Sequence, residues 1–211
     1  MAPDLSVERT ALVISECQRG ILDPELTIVP SLAQQAAARG TVARIAVLAA
    51  AFRRADRPVV YCTIAHRPDF AGVLPNSLLG SMTLKHRRMV VGTDDVDVPV
   101  PIAPQPTDFV SSRATGITAF YGTDLDATLR LQSITTVVIC GVSTDIALPG
   151  MALEAVNRGY RVVMAEDATA GTSAASHAFM TTNVLAALAQ IRTVDEVVAA
   201  LADEQAPHPS D

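Results

Sequence analysis

Five apolar, β-rich runs recur along the chain: TALVIS (10–15), RPVVYCTI (57–64), TDFVSS (107–112), TTVVIC (135–140) and YRVVMAE (160–166). Unbroken runs of this kind suit strands buried on both faces of a parallel sheet. Segments with helical spacing lie between them. LAQQAAARGTVARIAVLAAAFRRA (32–55) reads as one Ala-rich helix with Arg at intervals. DLDATLRLQ (124–132) reads as a second, with Thr123 as its N-cap. A third runs from about Pro149 to Arg158 and stops at Gly159, a C′ glycine. SAASHAFMTTNVLAALAQ (173–190) and VDEVVAALAD (194–203) complete the set.

This alternation predicts an α/β fold, a three-layer α/β/α Rossmann-like sandwich around a mostly parallel sheet of about six strands. One domain is expected over 1–211, with its core at about 8–200 and a flexible polar tail, EQAPHPSD, after it. Residues 65–106 break the rhythm. They carry HRPDFAGVLPNS, the basic cluster KHRR (85–88) and a Pro/Val/Asp-rich stretch. A connection of that length reads as a lid, a binding loop or an oligomer contact.

Composition narrows the class. Of 211 residues 49% are hydrophobic, and the net charge is −6. The chain can bury a sizeable core and offers no basic field to a nucleic acid. MAPDLSVERT has no apolar signal region, and no apolar run reaches the ~18 residues of a membrane span. A cytoplasmic protein without a membrane partner is expected. Cys17, Cys62 and Cys140 make an odd count. They read as buried free thiols in a reducing compartment.

Ligands of open α/β sheets bind beyond the carboxyl ends of the strands, which selects four segments. The first strand is followed by Ser15-Glu16-Cys17-Gln18, the second by His66, the third by Arg113, and the fourth by the turn Gly141 to Ala147. Partial burial would raise the pKa of Glu16 and suit it to acid or base work. Arg113 stays protonated, so it can hold Glu16 ionised or grip a substrate carboxylate in bidentate fashion. Backbone N–H groups of the turn can hold an oxyanion or carboxylate. Asp145 is a candidate cap for the following helix, and Pro149 fits its first turn. His66 with Asp69 makes only a weak pair, and no His, Cys or carboxylate cluster has metal-ligand spacing, so no metal is expected. His177 reads as structural, and His208 lies in the tail. On an extended strand Cys17 would point away from a site that Glu16 faces.

Three stretches in order resemble the isochorismatase-like hydrolases, the superfamily that includes nicotinamidases and other cysteine hydrolases. TALVISECQRGIL is similar to an apolar strand ending in Asp-x-Gln. AFYGTDLDATLR is similar to Phe-x-Gly-Thr-x-Leu. VVICGVSTDIALPGMALEAVNRGYRVVMAEDATAG matches the most specific stretch of the superfamily. The resemblance implies a site with Glu16 at the usual Asp, Arg113-Ala114 in the segment of the usual Lys, and Ala147 at the usual Cys. It implies substrate contacts at Gln18, His66, Phe120, Ser143 and Asp145, and a cis peptide at Val142–Ser143. Ile64-Ala65-His66 stands where nicotinamidases carry an Asp-x-His metal motif, so neither metal nor cofactor is implied.

Alanine cannot attack a carbonyl, so no thioester can form at Ala147. Isochorismatases also lack the cysteine and cleave a vinyl ether by protonating it. The leading expectation is therefore a cysteine-independent hydrolase of a small, anionic molecule, with Glu16 as the acid/base. One alternative is a family member without catalysis that binds a small molecule or forms an oligomeric scaffold. Another is a C–N hydrolase using Cys17 or Ser143. The resemblance also implies a homo-oligomer, a dimer or tetramer.

Overall fold

The computed structural model describes residues 9–203. The expected tail, with His208, lies outside them. In chain order the elements are β1 Thr10–Ser15, α1 Arg19–Leu22, α2 Pro30–Ala38, α3 Thr41–Arg54, β2 Val59–Ile64, α4 Leu78–His86, β3 Phe109–Arg113 and α5 Leu125–Leu131. They continue with β4 Thr136–Val142, α6 Ala147–Asn157, β5 Arg161–Ala170, α7 Ala174–Asn183, β6 Gln190–Arg192 and α8 Val194–Asp203. The strands form one sheet in the order β3-β2-β1-β4-β5-β6. Every pairing is parallel, so the sheet is wholly rather than mostly parallel.

The pleat of β1 shows how the layers arise. Leu12 and Ile14 join one buried cluster with Leu48 and Phe52 of α3 and Val197 of α8. Ala11 and Val13 join the opposite one, with Leu125 and Leu129 of α5 and Leu148 and Met151 of α6. Side chains two apart share a face, so a continuous apolar run covers both. β1 is also where the strand order reverses, with β2 on one side and β4 on the other. In this fold class that reversal opens a crevice at the carboxyl ends of the two central strands.

Three expectations need correction. The helix at 32–55 is two helices, because Gly40 adopts φ 64° and turns the chain between α2 and α3. Thr123 does not cap α5: Asp124 holds that position, and its carboxylate is occupied by the Ser111 hydroxyl at 2.5 Å. The helix expected over 173–190 ends at Asn183, and residues 190–192 become edge strand β6. That strand is three residues long and only half-buried, so it leaves no apolar run to read. The 65–106 connection, expected as a lid, binding loop or oligomer contact, contains α4, capped by the Ser77 hydroxyl; no residue of α4 is buried, so it leaves no apolar face to read in the sequence. Among the described residues no helix is long and apolar enough to cross a membrane.

β1 and β4 pass close together at Gly141, where φ is 100°. A Cβ there would lie 2.3 Å from the Ser15 carbonyl oxygen. Gly141→Ala should therefore destabilise the fold by about 2 kcal/mol or more, through overpacking and backbone strain together. Urea denaturation measures this, and a loss under about 0.5 kcal/mol, the range of an inert surface change, would show that β1 and β4 can separate freely.

Candidate active site

A cavity of about 640 Å³ opens at the carboxyl ends of the central strands. Glu16, His66, Arg113, Ser143, Asp145 and Ala147 all line it. The topology thus brings together the segments after β1, β2, β3 and β4. Four of the non-glycine residues with positive φ (Glu16, Phe70, Arg87 and Met89) belong to the loops at this end. Such backbone persists where surrounding structure over-determines it, which is common at functional sites.

β1 ends at Ser15, and Glu16 leaves it with φ 53°. Its backbone N–H donates to the Cys62 carbonyl, and its Oε1 accepts from Arg113 Nη2 at 2.5 Å. The two side chains are 14% and 5% exposed. Burial pushes the Glu16 carboxyl up, the charge and hydrogen bond of Arg113 pull it down, and burial wins. Arg113 ends β3, and its Nη1 is buried without a hydrogen-bond partner.

His66 is fixed on the other side of Arg113. Its Nδ1 lies 2.7 Å from the Ala114 carbonyl, which makes Nδ1 the protonated nitrogen and leaves Nε2 as an acceptor. Burial pushes the imidazole below its ordinary pKa, and the Arg113 charge adds to this against the Ala114 hydrogen bond. The backbone of His66 also pairs with Met89 and Val91, tying two cavity loops together. Asp69 turns instead to Arg67.

Two expected substrate contacts do not reach the cavity. Gln18 is buried, and its amide clamps the protein's own backbone: Nε2 donates to the Ile64 and Val96 carbonyls at 2.9 and 2.8 Å, and Oε1 accepts from Ile64 N–H at 2.7 Å. It holds the end of β2 and so the approach to His66. Phe120 is buried in the cluster that includes α5 and α6 residues, stacked on Tyr160 with the Arg158 guanidinium 4.6 Å from its ring. Asp145 lines the cavity but does not cap α6. Its carboxylate accepts from Thr172 N–H at 2.7 Å and from the Ser176 hydroxyl. Ala147 is the first residue of α6, and the Val142–Ser143 peptide is cis.

Cys17 is absent from the cavity wall. The chain turns at Glu16, and the Cys17 side chain joins the cluster of Leu12 and Ile14. Its Sγ donates to the Ser15 carbonyl at 3.4 Å. Burial and the neighbouring Glu16 push its thiol up to about 12. Much of the wall was not legible in the sequence: Ile21, Leu32, Val73, Leu79, Met89 and Ile146 line it. Apolar residues of a pocket carry the same pattern as those of a core.

The profile of the isochorismatase domain matches residues 10–196. The chain belongs to the isochorismatase family of hydrolases. Its sequence is 32% identical over 206 residues to the isochorismatase family protein YecD of Escherichia coli O157:H7, covering 94% of this chain and 99% of that one. An isochorismatase family protein of Burkholderia thailandensis superposes with a TM-score of 0.74 at 30% identity, covering 92% and 96% of the two chains. The N-carbamoylsarcosine amidase of Thermoplasma acidophilum does so with a TM-score of 0.70 at 28% identity, covering 89% and 97%. Within this isochorismatase fold the corner after β4 carries Ala147, and the carboxylate beyond β1 is Glu16 bound to an arginine.

Two outcomes follow from the electrostatics. The three thiols are buried, with Cys17 and Cys62 raised to about 12, so a disulfide reagent at pH 8 should label none until the protein unfolds. Carbon-13 NMR of the Glu16 carboxyl should give a midpoint above the unperturbed 4.5, rising further in Arg113→Met, which removes both lowering influences. A carboxyl raised on folding contributes stability below its unfolded pKa and loses it as pH rises through the folded one. A midpoint at or below 4.5 would mean that Arg113 outweighs burial.

Proposed function

We propose that this isochorismatase-family chain is a cysteine-independent hydrolase that cleaves a small, anionic vinyl or enol ether. The observation that carries the reading is the placement of Glu16: a carboxyl 14% exposed, bonded to Arg113 on the wall of a cavity that Ala147 also lines, where burial favours its protonated form. Glu16 donates its proton to the terminal carbon of the enol ether. The resulting oxocarbenium ion is stabilised by the carboxylate left behind. Water adds to it, and the hemiketal collapses to an alcohol and a carbonyl compound, with one water consumed and the proton returned. Arg113 orients the carboxyl through its Nη2 bond and attracts an anionic substrate. His66, neutral with Nε2 free to accept, receives a substrate hydroxyl or the incoming water.

A second reading is favoured by the same pair seen differently. The 2.5 Å bond from Arg113 also stabilises an ionised Glu16, and a permanently ionised carboxylate cannot act as an acid. The chain would then be a binding protein without turnover. C–N hydrolysis has less support. Cys17 is outside the cavity, and the His66 ring bond goes to Ala114 rather than to Ser143. We further propose a cytoplasmic homo-oligomer, a dimer or tetramer, supported by exposed Leu74 and Leu78 on the 65–106 connection.

A panel of acid-labile vinyl-ether carboxylates tests the proposal. Turnover should fall about 10²–10⁴-fold in Glu16→Gln, the usual weight of a general acid. In the wild type, kcat should decline as pH rises through the raised Glu16 pKa. Full activity in Glu16→Gln would sink the acid role. Tight binding with no turnover in the wild type would favour the second reading.

A further inference from the structure

The turn after β4 has a second face, turned away from the cavity. Ser143 and Asp145 line the cavity, but Thr144 between them is fully buried and does not. Its backbone N–H donates to the Ala170 carbonyl at 2.9 Å, and its hydroxyl lies 3.2 Å from His177 Nδ1. His177 Nε2 lies 2.6 Å from Glu166 Oε1, which Arg39 Nη2 also reaches at 2.6 Å. Arg39 further donates to the carbonyls of Thr169 and Glu166. A carboxylate accepts only, so Nε2 carries the imidazole proton. In a neutral imidazole Nδ1 then accepts from the Thr144 hydroxyl.

We propose that Thr144, His177 and Glu166, anchored by Arg39, form a positioning relay that holds the turn carrying Ser143, Asp145 and Ala147 against the cavity. The proposal rests on the reading of that cavity as the functional site. Hydroxyl, imidazole and carboxylate stand in the order that activates a nucleophile in other hydrolases. Here the hydroxyl has no solvent exposure, so the chain of bonds orients backbone and does not attack substrate. The neighbouring contacts serve the same end. Asp145 is held from α7 by Ser176, one residue before His177, and by Thr172 N–H. A Cβ at Gly171 would lie 2.6 Å from the Thr144 hydroxyl, so the glycine leaves space for this clamp. Burial pushes the Glu166 carboxyl up, but the hydrogen bonds of His177 and Arg39 hold it below its ordinary range. It therefore remains the acceptor that the relay needs at neutral pH.

The test needs no substrate, so it stands apart from the hydrolase chemistry. Nitrogen-15 NMR at pH 8 should show His177 with Nε2 protonated and Nδ1 bare. Thr144→Val keeps the shape and removes the hydroxyl. Hydrogen exchange at the amides of residues 143–147 should then speed up about tenfold, the weight of one buried hydrogen bond, with β1 and β5 unchanged. Thr144→Ser should restore the slow rates. Should Thr144→Val fail to fold, Glu166→Gln replaces it: the side chain is 30% exposed, and a smaller rise at the same amides is expected. Unchanged exchange at the turn, an equal rise across the whole sheet, or the opposite tautomer of His177 would each overturn the relay.

Discussion

The parallel pairing of β1 with both β2 and β4 is the constraint on which the rest of the molecule depends. β1 runs level with β2 at Ser15 and Cys62 and with β4 at Ser15 and Gly141. This shared level delivers three loops to one edge of the sheet at the same height. The close passage at Gly141 keeps β4 near enough for its turn to face Glu16. The buried clusters on both faces make that register costly to shift, because a slip of one residue would send every β1 side chain to the wrong layer.

On that frame the Glu16–Arg113 pair sets the character of the site. A buried ion pair contributes little net stability, whereas breaking one by removing a partner costs about 3–5 kcal/mol. Its value here is better understood as placement: the pair holds a carboxyl at the cavity wall in a protonation balance set by two opposed forces. Burial favours the neutral acid, and the guanidinium favours the anion.

The loops around the pair are secured from behind. Gln18 ties β2 to the segment around Val96, His66 ties the Ala114 loop to Met89, and α7 holds the β4 turn through Ser176 and His177. Gln18, His66, Thr144 and His177 are buried and hydrogen-bonded, and such networks give a turn one geometry. α4 completes the mouth of the cavity without burying a residue of its own.

The sequence by itself determined the α/β alternation and the strands whose apolar runs cover both faces of the sheet. It also determined that Glu16, His66, Arg113 and the Gly141–Ala147 turn stand at strand ends. Burial of both sheet faces is written locally, as composition, so it survives without coordinates. Tertiary structure alone decided that Gln18 and Phe120 serve the frame rather than the cavity, because a glutamine clamp and a ligand contact look alike until their partners are known. The burial of Cys17 away from the cavity was expected from the sequence, but the structure reaches it by another route, a turn of the chain at Glu16 with φ 53° rather than strand alternation. β6 and α4 also depend on neighbours: one gains its identity by pairing with β5, and the other lines the cavity while keeping Leu78 and Leu79 exposed. Such contacts join residues far apart in the chain, and no local pattern of polarity encodes them.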